Sequence, residues 1–202
     1  MGTGLIFAIV CLVLIIGAVG YFIGVYNKLV TLGERHKNAF SQIEVQLKRR
    51  YDLIPNLVET VKGYMAHEKE TLTAVIEARN TALTGLSAAK KAPGDPASMK
   101  QLAQAEAGLS GALARLNMVV ERYPDLKADT QMSALTEELT STENKVSFSR
   151  QAFNDAVTAY NIYKRSFPPI AIAPMVGHAQ DASLLEFEDA AQIRQAPQVS
   201  FA

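Results

Sequence analysis

The chain has 202 residues, 20 basic against 20 acidic side chains, a hydrophobic share of 49%, one cysteine and no tryptophan. That length suits one domain with an appended element, and a balanced charge without dense Lys/Arg runs among aromatics excludes the electrostatic footprint of a nucleic-acid binder. A lone thiol, Cys11, can form no internal disulfide, so cysteine usage assigns no oxidising compartment.

No side chain between Met1 and Asn27 is charged, and the run LIFAIVCLVLIIGAVGYFIGVY would span about 33 Å as a helix, enough to cross a bilayer. No basic residue precedes it, and it continues apolar past the small residues Ala18 and Gly20. Residues 1–27 are therefore expected to be a retained anchor and not a cleaved signal. Lys28, Arg35, Lys37, Lys48, Arg49 and Arg50 all follow the run, which predicts a cytoplasmic location for the rest of the chain. Gly20 and Gly24 form a GxxxG pair, so self-association through the anchor is expected.

From Phe40, apolar residues recur at threes and fours through Ile43, Leu47, Tyr51, Ile54, Val58, Val61, Met65, Leu72 and Ile76. The spacing predicts one helix over residues 28–91. Its phase survives Pro55, so a kink is expected there. The proline offers no N–H to the Tyr51 carbonyl, which needs another partner. In AAKKAPGDPAS the helix ends, Asp95 caps the next one and Pro96 takes its first position. That helix is predicted over residues 96–122, with Met99, Leu102, Leu109, Leu113, Leu116 and Val120 on its apolar face. After RYPDLKAD, the series Met132, Leu135, Leu139, Thr142, Val146, Ser149, Phe153, Ala156, Tyr160, Tyr163 and Phe167 predicts a third helix over residues 129–167. Long helices with tight turns imply an all-α chain: a single N-terminal transmembrane helix followed by an elongated antiparallel bundle of long helices over residues 28–167.

Residues 168–187 open with PPIAIAPMVG, apolar, too short to cross a bilayer, and confined by its prolines to extended backbone. Pro168, Pro169, Ile170, Ile172, Met175 and Val176 are expected to meet lipid, the bundle or a neighbouring subunit, with lipid or subunit contact preferred. Residues 188–202 lack periodicity and read as a mobile tail.

The search for chemistry returns few candidates. His36, His67 and His178 stand far apart, and His67-Glu68 is not followed by a second histidine at helical spacing, so all three read as surface residues. The pairs Glu137/Glu138 and Glu68/Glu70 read as a solvated helix face. No phosphate-cradling loop, nucleophile elbow or metal-ligand spacing occurs, so no catalytic residue, metal site or cofactor is expected. Arg49, Arg50, Asp52, Pro55 and Asn56 cluster at the proline, and the last helix carries Glu143, Asn144, Arg150, Asn154 and Asn161, with Asn154 and Asn161 on one face. These residues read as a structural polar latch, an arginine pairing with Glu143 or Asp52. The sharper alternative is a catalytic or ligand-binding site over residues 49–56.

The stretches YNKLVTLGERHKNAFSQIEVQLKRRYDLIPNLVETVKGYMAHEKETLTAVIEARN and ENKVSFSRQAFNDAVTAYNIYKRSFP closely resemble the LemA family of bacterial membrane proteins over residues 26–168. The resemblance implies one N-terminal membrane helix and a long antiparallel helical bundle, without established catalytic activity. It also implies a link with magnetosome gene clusters and with membrane metalloproteases, hence with envelope organisation or quality control. The chain departs from the family pattern near its end, where Gly177-His178, Leu184, Leu185 and Phe187 replace a glycine-aromatic turn and an aromatic pair. The expectation is a non-enzymatic, single-pass scaffold that self-associates and organises or remodels the bacterial cytoplasmic membrane, its partners being the lipid bilayer and further copies of itself. An adaptor for a membrane metalloprotease or an envelope-stress system is the alternative partner reading.

Overall fold

A computed structural model describes residues 2–65 and 67–187 of the chain. Helix α1 covers Gly2–Lys62, α2 Lys69–Lys91, α3 Pro96–Val120, α4 Pro124–Lys127, α5 Thr130–Arg165 and α6 Pro169–Ile172, followed by a 3₁₀ turn over Ala173–Val176. No strand occurs among the described residues. The expected tail over residues 188–202 lies outside them.

The apolar run and the first bundle helix are one element, so the boundary expected at residue 27 falls inside an unbroken α1. Its N-terminal part is apolar and long enough to cross a membrane, and no part of the bundle covers it. From Val25 onward one face turns inward, with Val25, Leu29, Leu32, His36, Phe40, Ile43, Leu47, Tyr51 and Ile54 buried at threes and fours.

The helix predicted over residues 28–91 is two helices. After Lys62 the chain turns through Gly63 and Tyr64 and reverses into α2. The reversal shows in the cross-contacts: Lys90 on α2 meets Glu44 on α1 at 2.6 Å, and Arg79 meets Tyr51 at 2.8 Å. Met65 and Leu72 are both buried, so their seven-residue spacing bridges the turn and imitates a continuing heptad. Among the described residues the bundle therefore has four long helices, not three.

Helix α3 starts as its sequence prescribes: the Asp95 side chain accepts from the Ser98 amide at 2.9 Å and Pro96 stands at the first turn. It runs antiparallel to α2 and closes on it at Gly85, where a Cβ would lie 3.3 Å from Leu102 Cα. Asp129 caps α5 in the same way, accepting from Met132 N at 2.9 Å. Helix α5 returns antiparallel along α1, with Phe40 and Phe153 edge to face at 5.6 Å.

The segment expected to be extended folds instead into α6 and the 3₁₀ turn. Pro169 at the first position of α6 and Pro174 at the second of the 3₁₀ turn suit helical backbone, since the amides they lack have no helical partner in a first turn anyway. Residues 181–187 then run back along α5 as a strap. Leu185 and Phe187, two apart, enter the main core.

Pro55 lies within α1 without interrupting it, and the Tyr51 carbonyl is bonded by Nε of Arg79 at 2.8 Å. The new partner for that carbonyl comes from α2. Arg79→Ala is expected to destabilise the protein by about 1–3 kcal/mol by orphaning this acceptor. Pro55→Ala supplies the missing amide, so in that background the same truncation should cost measurably less. A double-mutant cycle of thermal melts checks this; equal costs in both backgrounds would refute it.

Candidate functional site

The polar centre of the bundle is built on two consecutive residues of α1. Arg50 Nη1 donates to Glu106 of α3 at 2.9 Å, and its Nη2 donates to Ser110 at 3.3 Å. The Tyr51 hydroxyl donates to the other Glu106 oxygen. Arg50 and Glu106 are both buried, so each compensates a charge that would be costly alone. Burial, then the Glu106 charge, hold the Tyr51 hydroxyl far above its ordinary range and therefore protonated.

The other residues of the expected latch are dispersed. Arg49 pairs with Glu138 at 2.8 Å on the surface, with side chains 53% and 42% exposed, which is worth under about 1 kcal/mol. Asp52 is exposed and stands 3.9 Å from Arg79; Pro55 and Asn56 also face outward. Glu143 is exposed and is not the partner of Arg50. It lines a cleft of about 240 Å³ between α3 and α5, with Arg50, Ser110 and Thr140, and with Asn144 it lines a second recess that reaches Arg150. Glu106, the acid that α1 uses, was missed because a single Glu in an Ala-rich helix carries no signal of burial.

A second polar constellation joins α5 to the strap. The Asn154 side chain makes both backbone hydrogen bonds of Leu185, at 2.9 and 3.1 Å, and Asn161 makes both of Ala182, at 3.0 and 2.8 Å. Two amides on one helix face thus replace a partner strand. The guanidinium of Arg150 lies 4.5 Å from the Phe187 ring. On its other edge the strap reaches the α2–α3 turn, where Ser183 N donates to Gly94 O at 2.7 Å. Gly94 has φ of +87°, and a Cβ there would stand 2.9 Å from that of Ala182, so both conformation and space require glycine.

The histidines are not all surface residues. His36 of α1 is buried and packs on Tyr160, ring centroids 5.3 Å apart, while the Tyr160 hydroxyl bonds Nδ1 of His178 at 2.8 Å. Lys164 and Arg165, at the end of α5, both pair with Asp181 at the start of the strap. Burial holds His36 below its ordinary value, and burial followed by the Lys164 charge does the same to His178. The Arg165 and Lys164 hydrogen bonds hold the Asp181 carboxyl below its ordinary range. Among the described residues no three His, Cys, Asp or Glu side chains form a set able to hold a metal ion.

Residues 39–201 match the model of the LemA family. The magnetosome proteins MamQ 2 of Paramagnetospirillum magneticum and MamQ of Magnetospirillum gryphiswaldense are each 28% identical, over 71% and 75% of this chain and 58% and 61% of their own lengths. Protein LemA of Metamycoplasma hominis is 25% identical over 79% of this chain and 69% of its own. The chain thus spans less than two thirds of the magnetosome relatives.

Glu106→Gln keeps an acceptor for Tyr51 but leaves the Arg50 guanidinium uncompensated, and is expected to cost about 3–5 kcal/mol. Adding Arg50→Met should recover most of that loss in thermal or denaturant melts. The histidines set a pH dependence. With folded-state values below the ordinary 6.5, the unfolded chain takes up protons first. Stability should therefore hold above that value and decline as pH falls through it, towards the lower folded values. Melts at descending pH should show this, and the slope should shrink in His36→Phe.

Proposed function

We propose that this chain, which belongs to the LemA family, is a non-enzymatic scaffold anchored in the bacterial cytoplasmic membrane and joined to further copies of itself. The observation that carries this reading is the continuity of α1, which is uncovered and apolar at one end and the central helix of the bundle at the other. A membrane span and a folding core that share one helix hold the bundle at a set height above the lipid. Such an element suits presentation of a surface better than turnover of a substrate. The excess of basic residues after the span supports placing the bundle in the cytoplasm.

Gly20 and Gly24 support self-association, because beyond the local helix backbone and chain neighbours nothing lies within 4 Å of where a Cβ would stand on either. That leaves a smooth backbone face for a second helix. The magnetosome names of two relatives support a role in organising membrane. A catalytic or ligand-binding role for residues 49–56 is less well supported, since Arg49, Asp52 and Asn56 face solvent while Arg50 is committed to Glu106.

Light scattering of the full chain in mild detergent tests the scaffold. The expected protein mass is a multiple of 21.9 kDa, falling towards that value in Gly20→Leu/Gly24→Leu while helicity is retained. A monomeric wild type would overturn the scaffold and favour an adaptor for a membrane protease.

A further inference from the structure

Where α5 reverses into α6, the bundle carries a patch of large apolar side chains that no described residue covers. Phe167 is 85% exposed, Met175 77%, Ile162 65% and Ile170 52%. The inner side of the same turn is anchored. Ala173 is buried with Val25, Leu29, Leu32 and Tyr160, and Ile172 and Val176 pack against that cluster. The residues expected to share one contact thus divide: Ile172, Val176 and the buried Pro169 face the bundle, whereas Ile170 and Met175 face away.

The position of the patch follows from what holds it. Val25 and Leu29 lie at the end of the apolar run of α1, so the turn is fastened where that helix would leave the bilayer. Tyr163, one turn before Phe167, packs against the same cluster. The exposed face of α1 itself continues the apolar surface through Tyr21, Phe22, Tyr26 and Val30. Aromatic rings at this level match the belt found at membrane interfaces.

The backbone of the turn is suited to an environment poor in water. Pro168, Pro169 and Pro174 have no amide to satisfy. Ile170 N donates to Ser166 O at 2.9 Å, Ala171 N to Pro168 O at 3.1 Å and His178 N to Ala173 O at 2.9 Å. A segment of this kind meets lipid without stranding polar groups. Lys28 is exposed just past the span, where it can meet lipid phosphates.

We propose that Phe167, Ile170 and Met175, with Ile162, form a membrane foot: a second lipid contact set into the headgroup and acyl boundary of the leaflet from which α1 emerges. It rests on the reading that α1 crosses the bilayer. The foot fixes which side of the bundle leans on the membrane, which a single span cannot do. Continuity with the apolar surface of α1 selects lipid over a second copy of the chain as occupant.

The chain has no tryptophan, so each substitution below introduces the only indole. Phe167→Trp reports the foot, Phe7→Trp the span, and Phe148→Trp an exposed site on α5 about 28 Å away along the helix. The full-length variants are reconstituted in phosphatidylcholine vesicles with and without brominated phosphatidylcholine. The expected result is loss of emission to bromine for Phe7→Trp and Phe167→Trp, the latter strongest with bromines near the glycerol. Phe148→Trp should emit as in water and respond only to acrylamide. Phe167→Trp behaving like Phe148→Trp while Phe7→Trp is quenched overturns the foot and leaves the anchor standing. Blue-shifted emission at Phe167→Trp without bromine quenching also overturns it, in favour of a protein contact. An unquenched Phe7→Trp overturns the anchor and the foot together.

Discussion

Glu106 sits on the inward face of α3, where a carboxylate is tolerable only if both oxygens are answered. Arg50 answers one and Tyr51 the other. The backbone of the same Tyr51 gives its carbonyl to Arg79 of α2, because Pro55 cannot use it. Two consecutive residues of α1 therefore dictate the register of both helices of the α2–α3 hairpin. Sliding either helix by one turn would leave a buried charge or a bare carbonyl, each costing a few kcal/mol. Apolar packing alone would tolerate such a slip more easily, since Leu, Ala and Val faces repeat at every turn.

The fourth helix is held by different means. Helix α5 lies along α1 through Phe40, Phe153, His36 and Tyr160, and it carries the strap on Asn154 and Asn161. Between α3 and α5 the bundle is open enough to leave a polar cleft. The strap ties the two halves across this weaker seam, bonded to α5 on one edge and to Gly94 of the α2–α3 turn on the other.

The all-α class, the apolar run and the Asp95 cap of α3 were legible because each depends on local chemistry or on period; the Asp129 cap of α5 was not read. The reversal after Lys62 was not, because the buried pair Met65 and Leu72 keeps helical phase across a turn. Pro55 was read as a kink within a continuing helix, and the carbonyl it leaves free is bonded from another helix. At the polar centre, Arg50 was identifiable as a candidate, but its partner lies 56 positions away in a helix where one Glu has no local mark. Asn154 and Asn161 were placed on one face by spacing; that they clasp backbone could not be read, because the strap has too few residues to show a period. His36 and His178 meet only through Tyr160, a contact made by the fold and invisible to spacing.

The unbroken passage of α1 from apolar run to bundle core makes the helix a lever. Its arm from Tyr26 to Lys62 measures about 54 Å at ~1.5 Å per residue. Spans answer a change in bilayer thickness by tilting, and a tilt of about 10° would sweep the far end of that arm through roughly 9 Å. Arg79 ties the arm to α2 at the carbonyl that Pro55 leaves without a helical donor. Where the apolar end of α1 spans a bilayer, its orientation there would be carried along one continuous helix to the distal end of the bundle.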